Sequence, residues 1–363
     1  MMAERTNAAP GSTSSAGTGE DAVASDVAIE DPAHNEFALI DRILERLGDA
    51  VASEILLPPG DDAAAWVPAG GAVIATADAM TEGSHWLPHL LSMYDVGWRC
   101  VAANVSDLAA MGATPQVLLV TAVLGPTMTI DDLDAFIDGL ADGCRAHGVQ
   151  IAGGDVVRGR STTFSITALG AARLDRANRA IVLRRDGAHP GDVIAVSGTP
   201  GLAAAGMRLV EQARTDPPAD AAIAAFRHPV GRVDLGLAAV AVGVPCAIDI
   251  SDGLIQDLGH IAQRSGVGIE IDLEALPLPQ AAVAFFGTEG ARTLALAGGE
   301  DFELILVARQ NVIESLEAED LTIIGRVLEQ HPGEVVIRQA DGAPYPVPQG
   351  WDALRRWPLP RLQ

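Results

Sequence analysis

The chain of 363 residues contains no lysine, so all 24 of its basic side chains are arginine. That absence excludes the Walker nucleotide motif and the strand lysine of protein kinases, both of which place an ammonium on ATP phosphates. Positive charge is scarce altogether. Against those 24 arginines stand 48 acidic side chains, a formal net charge of −24, which argues against a nucleic-acid partner or an anionic membrane surface. An anionic small substrate would need metal cations as mediators. Cysteine is nearly missing too: Cys100, Cys144 and Cys246 are far apart and form no C-x-x-C pair. Neither a disulfide framework nor a cysteine zinc site is expected, and the three read as core thiols in a reducing cytoplasm. The longest apolar run, Leu235 to Ile248, is too short to span a bilayer and is interrupted by Pro245. Residues 1–33 lack the apolar block of a signal peptide and read as a disordered tail. There is no H-E-x-x-H and no G-x-S-x-G. His85 and His89 stand four apart, but Pro88 would interrupt a helix there, so a zinc protease is not expected.

What is present is enough apolar material, 48% of the residues, to fill two cores. Periodicity predicts a helix over "NEFALIDRILERLG", a strand at "AVIATAD", a helix across "VGWRCVAANVSDLAAMG" and a strand at "QVLLVTAVLG". A helix follows in "TIDDLDAFIDGLADGCRAHG", opened by a Thr129/Asp132 capping box, then strands at "VQIAGGD" and "TTFSITALG". The polar, arginine-rich stretch after residue 170 places a domain boundary within about 171 to 190. Beyond it come strand "DVIAVSG", helix "GLAAAGMRLVEQA", strand "CAIDI", helix "GLIQDLGHIAQRSG", strand "VGIEIDL" and a last strand "FELILVA". Both halves mix the two element types, so the class is α/β or α+β.

The acids form the unusual pattern. Asp78 follows "VIATA", Asp155 follows "IAGG", and Asp249 and Asp252 lie in and just after "CAIDI", all at strand ends where ligands collect. Asn104 and Asp107 sit three apart on one face of an otherwise apolar helix, where a carboxylate needs a cation or a hydrogen-bond partner. Asp61 and Asp62, in "PPGDDAAAW", read equally as turn formers, and Asp252 as a helix N-cap. Together the acids demand more. Two like charges 4 Å apart repel by roughly 4 kcal/mol at an effective dielectric of 20. Oxygen-only ligands without a cysteine or histidine cluster suit Mg²⁺, which bridges carboxylates to phosphates. Glycine turns "AGGD", "SGTPG" and "AGGED" are candidate phosphate contacts, the second opening a helix whose amides could face an anion.

With "GDDAA", "ATADAMTEGSHW", "NVSDLAAMGA", "IAGGD", "SGTPG", "AIDISDGLIQDLGHIA" and "LAGGEDFEL" in this order, the chain from about Asn35 to Trp351 resembles the thiamine-monophosphate kinases. That resemblance implies the two-domain aminoimidazole ribonucleotide synthetase-like fold: residues 34–175 as an ATP/Mg-binding domain that builds a shared β-barrel in a homodimer, and 176–363 as a C-terminal α/β domain. It implies transfer of the γ-phosphate of ATP onto thiamine monophosphate. It further implies Mg²⁺ ligation by Asp62, Thr76, Asp78, Asp107, Asp155, Asp249 and Asp252, nucleotide contacts from Gly154, Asp155, Arg185 and Ser251, and substrate contacts from His85, Glu300 and Trp351. The chain departs from the family at Ala77, Val156 and Val157, where hydroxyl residues are common, and at Trp86, at the edge of the pocket, where phenylalanine is usual.

Two other readings are weighed beside this one. A synthetase of the same fold, acting on an amide or carbonyl oxygen, would release inorganic phosphate. A non-catalytic divalent-cation binder would leave the glycine turns unused, and no EF-hand spacing supports it.

Overall fold

The computed structural model describes residues 36–52, 71–214 and 216–347. Two sheets organise them. The first part of the chain runs α1 (Glu36–Leu47), β1 (Ala72–Thr81), α2 (Met93–Ala110), β2 (Thr114–Leu124), α3 (Ile130–His147), β3 (Gln150–Arg158) and β4 (Thr163–Ala172). Its four strands lie in the order β1-β4-β2-β3, antiparallel except for the β2/β3 pair.

One face of this sheet is covered by α2 and α3. Both helices start at capping boxes, Ser92 with Asp95 and Thr129 with Asp132, the second as the sequence suggests. They cross at close range because Gly97 faces the Phe136 carbonyl and Gly139 faces the Tyr94 carbonyl, where any Cβ would overlap the opposing backbone. The opposite face of the sheet carries Val73, 50% exposed, and Val157, 43% exposed.

Residues 173–192 connect to the second sheet. It is assembled from β5 (Val193–Ser197), α4 (Leu202–Glu211), α5 (Pro217–Arg227), α6 (Val233–Val242), β6 (Cys246–Asp249), α7 (Leu254–Ser265), β7 (Gly268–Asp272), α8 (Gln280–Ala297), β8 (Leu304–Ala308), α9 (Gln310–Glu314), β9 (Leu321–Leu328), β10 (Val335–Arg338) and β11 (Pro344–Tyr345). Strand order is β11-β10-β7-β9-β5-β8-β6. Helices and mixed sheets alternate in both parts, so the fold is a two-part α/β arrangement.

Two expectations are corrected, and one long apolar run resolves into two elements. "FELILVA" is not the last strand: β9, β10 and β11 follow it, and β9 pairs with both β5 and β7 in the middle of the sheet. The long apolar run from Leu235 divides into α6 and β6 at Gly243, whose φ of 86° ends the helix. Asp78 and Asp155 lie within β1 and β3 rather than after them, because those strands continue to Thr81 and Arg158. Trp86 is 5% exposed, part of the core beside α2 and α3.

Helix α2 is the common wall of the two parts. Gly236 of α6 packs against the Ala109 carbonyl of α2 with no room for a Cβ. Trp98 Nε1 donates to the Pro229 carbonyl at 2.7 Å, and the imidazole of His228 meets Asp95 at 2.8 Å. Among the described residues no helix is long and apolar enough to cross a membrane.

Candidate active site

The acids of the first part meet those of the second along α2. Alternation in β1 turns Ile74, Thr76, Asp78 and Met80 toward the helices. The Thr76 hydroxyl donates to Asp107 Oδ2 at 2.6 Å. Asn104, one helical turn before Asp107, accepts from the Asp78 amide at 3.1 Å and donates to the Cys100 carbonyl at 2.9 Å. It is therefore a buried splint between strand and helix. Ser106, fully buried, donates to Asp249 Oδ2 at 2.7 Å, joining α2 to the end of β6.

After Asp249 the chain wraps around a residue the sequence reading passed over. Asp257, in the first turn of α7, accepts from the amides of Ser251, Asp252 and Gly253 at 3.2, 3.2 and 3.1 Å. This fixes the loop that presents Ser251 and Asp252. Oxygens of Asp252 and Asp257 and a ring nitrogen of His260 lie within 4.8 Å of one another, and Gln256 donates to Asp252 at 3.0 Å.

Electrostatics tie these groups into one cluster. Burial, then the charges of Asp107 and Asp252, raises the Asp78 carboxyl above its ordinary value. Burial raises Asp107 as well, against the Thr76 hydrogen bond and the Arg185 charge. Asp249 is pushed up to about 7, first by burial and then by Asp107, while Ser106 and Arg185 pull it back. Asp257 is raised well above the carboxylate range by burial, Asp249 and Asp252. Loss of water and nearby like charge both disfavour an ionised carboxylate, so these groups move upward. Arg185 is exposed, yet its charge reaches both Asp107 and Asp249.

Nearby, residues 298–303 form a constrained loop. Glu300 and Phe302 have φ of 69° and 50°, in the left-handed region that side chains avoid. The Glu300 amide donates to the Ser251 carbonyl at 2.8 Å and the Phe302 amide to the Ile250 carbonyl at 2.9 Å. Between them Asp301 turns away and accepts from the Gly201 and Ala203 amides at 2.6 and 2.9 Å. The helix N-terminus opened by "SGTPG" is thus closed by the protein's own carboxylate. The same turn abuts Glu303, which accepts from Ser197 and pairs with both arms of Arg232. The expectation that these amides face a ligand anion is corrected accordingly.

Thr76, Asp78, Asp107, Asp249, Asp252, Arg185 and Ser251 are brought together. Asp155 is not. It pairs in register with Thr121 and so shares the face of Ser165 and Ala79, opposite to the one carrying Thr76 and Asp78. Gly154 has a packing reason of its own, since a Cβ there would overlap the Val120 carbonyl. His85 follows β1, and its Nδ1 accepts from the Thr81 amide at 3.2 Å. Asp61, Asp62 and Trp351 lie outside the described residues.

Comparison with known proteins fits this geometry. The family model of the AIR synthase related protein N-terminal domain matches residues 60–172, and that of the C-terminal domain matches 189–338. The thiamine-monophosphate kinase of Haemophilus influenzae is 34% identical over 307 residues, covering 82% of this chain and 90% of the relative. The chain belongs to the thiamine-monophosphate kinase family. As a member of that family it is an ATP-using enzyme of the kinase class. The crystal structure of the thiamine-monophosphate kinase from Stenotrophomonas maltophilia K279a superposes with a TM-score of 0.71 at 37% identity, covering 85% of this chain and 96% of that one. A structure of AaThiL complexed with AMPPCP and TMP gives 0.69 at 31% identity, with 87% and 96% covered.

Proposed function

We propose that the protein transfers the γ-phosphate of ATP directly onto thiamine monophosphate, forming thiamine diphosphate and ADP in a Mg²⁺-dependent, in-line reaction. The observation that carries this reading is the meeting of Asp78, Asp107 and Asp249 from β1, α2 and β6, all raised by burial. An oxygen-only set of mutually repelling carboxyls, with Asp249 buried, Asp107 half-buried and Asp78 more open, fits a hard divalent cation. Asp62, Thr76, Asp78, Asp107, Asp155, Asp249 and Asp252 are the residues proposed to hold Mg²⁺. When bound, Mg²⁺ would cancel repulsion between two polyanionic substrates and polarise the transferring phosphoryl group.

The chain itself supplies orientation. Ser106 and Thr76 hold Asp249 and Asp107 by hydroxyl hydrogen bonds, which favour the ionised carboxylates. Arg185, Gly154, Asp155 and Ser251 are assigned to ATP, and His85, Glu300 and Trp351 to the thiamine substrate, Glu300 offsetting the thiazolium charge. A monophosphate with second pKa near 6 is largely dianionic at pH 7, so no general base is required. One of its oxygens forms the new bond to the γ-phosphorus while the bond to the β–γ bridging oxygen breaks, and ADP leaves with that electron pair.

A homodimer belongs to the same proposal. Asp155 lies on the sheet face turned away from α2, where Val73 and Val157 are exposed. A second copy covering that face, with the two sheets closing a barrel, would bring Asp155 into use. Residues 34–175 are taken as the nucleotide and dimerisation domain, 176–363 as the C-terminal domain, and the cytoplasm as the location.

The test incubates purified protein with ATP, Mg²⁺ and thiamine monophosphate, with unphosphorylated thiamine as a control acceptor. Thiamine diphosphate and free phosphate are followed separately. Stoichiometric diphosphate without free phosphate is expected. Free phosphate in its place would overturn the kinase reading in favour of a synthetase reaction.

A further inference from the structure

Arg99 is a fully buried cation in the middle of α2, 1% exposed, on a helix whose buried face is otherwise mostly apolar. Its guanidinium lies over the Phe226 ring at 5.2 Å and faces the Phe302 ring at 5.9 Å, donates to the Phe226 carbonyl, and is ion-paired with Glu300. Its Nε has no hydrogen-bond partner among the described residues. Burial lowers its pKa only to about 10, so it stays charged at neutral pH.

Such an arrangement is poor as a stabilising device. Removing a guanidinium from water is costly, and a well-packed apolar side chain in its place is often neutral or better. The pairing is also lopsided. Arg99 is sealed, whereas the Glu300 side chain is 42% exposed and leaves part of its carboxylate open. The backbone under Glu300 is strained and pinned on both sides, by the Ser251 carbonyl and by neighbouring Asp301, which is bonded to the amides that open α4. Strain of this kind persists where surrounding structure over-determines it, commonly at functional sites.

The geometry points to Arg99 as a positioning residue for the cationic acceptor: from inside α2 it holds Glu300 in one orientation at the open end of the loop. This rests on the assignment of Glu300 to the thiamine substrate. The guanidinium, ion-paired with the carboxylate from the sealed side, fixes which oxygen faces outward. A carboxylate left free on a strained loop would instead turn into solvent, and its attraction for a thiazolium would be averaged away. Arg99 acts through Glu300, so its effect is expected at the acceptor.

Kinetics of Arg99→Met and Arg99→Lys, each against Glu300→Gln and the double variant Arg99→Met/Glu300→Gln, test this. Wild-type turnover of thiamine monophosphate is the control: its absence would overturn the kinase reading itself, independently of Arg99. With an active wild type, Arg99→Met is expected to raise the KM for thiamine monophosphate by about tenfold, with the KM for ATP unchanged. Arg99→Lys should show the same selectivity at smaller size, since an ammonium keeps the charge but not the fork. The double variant should be no worse than Glu300→Gln alone. Equal changes in both KM values, no change in either, or additive losses in the double variant would overturn the proposal. So would failure of both single variants to fold, which would make Arg99 a folding residue only.

Discussion

Thr76 and Asp107 join β1 to α2 through a 2.6 Å hydrogen bond in the centre of the acidic cluster. The bond favours ionised Asp107, while burial disfavours it. Replacing Thr76 with Val removes the donor and raises the Asp107 pKa further, so less of the protein is ionised at a given acidic pH. The acidic limb of the kcat/KM profile should move to higher pH, with a loss at acidic pH that recovers as pH rises. A parallel drop at every pH would show that Asp107 ionisation does not limit the rate.

The crossing of α2 and α3 offers a prediction about stability. Gly97 and Gly139 each oppose a carbonyl of the other helix with no space for a Cβ. A methyl group at either position forces the backbones apart. Gly97→Ala and Gly139→Ala should each cost about 1–3 kcal/mol in urea unfolding. Because α2 carries Asn104, Ser106 and Asp107, activity should fall in the same variants below their melting temperatures.

Asp301 gives a pH dependence with a definite sign. Burial raises its carboxyl from an ordinary 3.8 to about 7, although the Gly201 and Ala203 amides favour the ionised form. A folded pKa above the unfolded one contributes stability that is full below about pH 4 and lost as pH rises toward 7. Asp249 acts in the same direction. Through these two groups the metal-free protein should therefore lose stability between pH 4 and 7. Asp301→Ala should flatten part of that slope and, having left two helix amides uncapped, lower stability at pH 8 by about 1–2 kcal/mol.

How much of this was legible in the sequence depends on how local each cause is. Asp78, Asp107 and Asp249 stand out because an acid beside apolar strand or helix residues is costly unless it has a task. Asp257 looked like an ordinary first-turn helix acid, and only the wrap of residues 251–253 around it reveals its role. Asp301 was hidden for a related reason: "AGGED" reads as a glycine turn, and the amides it caps lie a hundred residues earlier. Arg99 carried a usable signal, a single basic residue in an apolar helix, but its partner Glu300 is two hundred residues away. Central strand β9 was missed because "LTIIGRVL" is broken by Gly325 and Arg326, and its pairing partners β5 and β7 are set by tertiary packing. Ala-rich α8, interrupted at Gly287, has too little periodicity to be seen.

The cluster should also behave oppositely with and without cation. In the metal-free protein half-buried Asp107 lies near buried Asp249, and the Asp107 charge raises Asp249. Asp107→Asn keeps the shape, removes one charge and relieves that repulsion, so the melting temperature without metal should rise at pH 8. On the proposed reading Mg²⁺ should stabilise the folded wild type by mass action, about 2.7 kcal/mol at one hundred times the dissociation constant. The variant should lose most of that Mg²⁺-induced shift and about 100-fold or more in kcat. Melting curves with and without Mg²⁺, read beside turnover, check both signs together. A folded Asp107→Asn protein with a normal Mg²⁺ shift and normal turnover would remove Asp107 from the metal set and leave its raised pKa a consequence of packing alone.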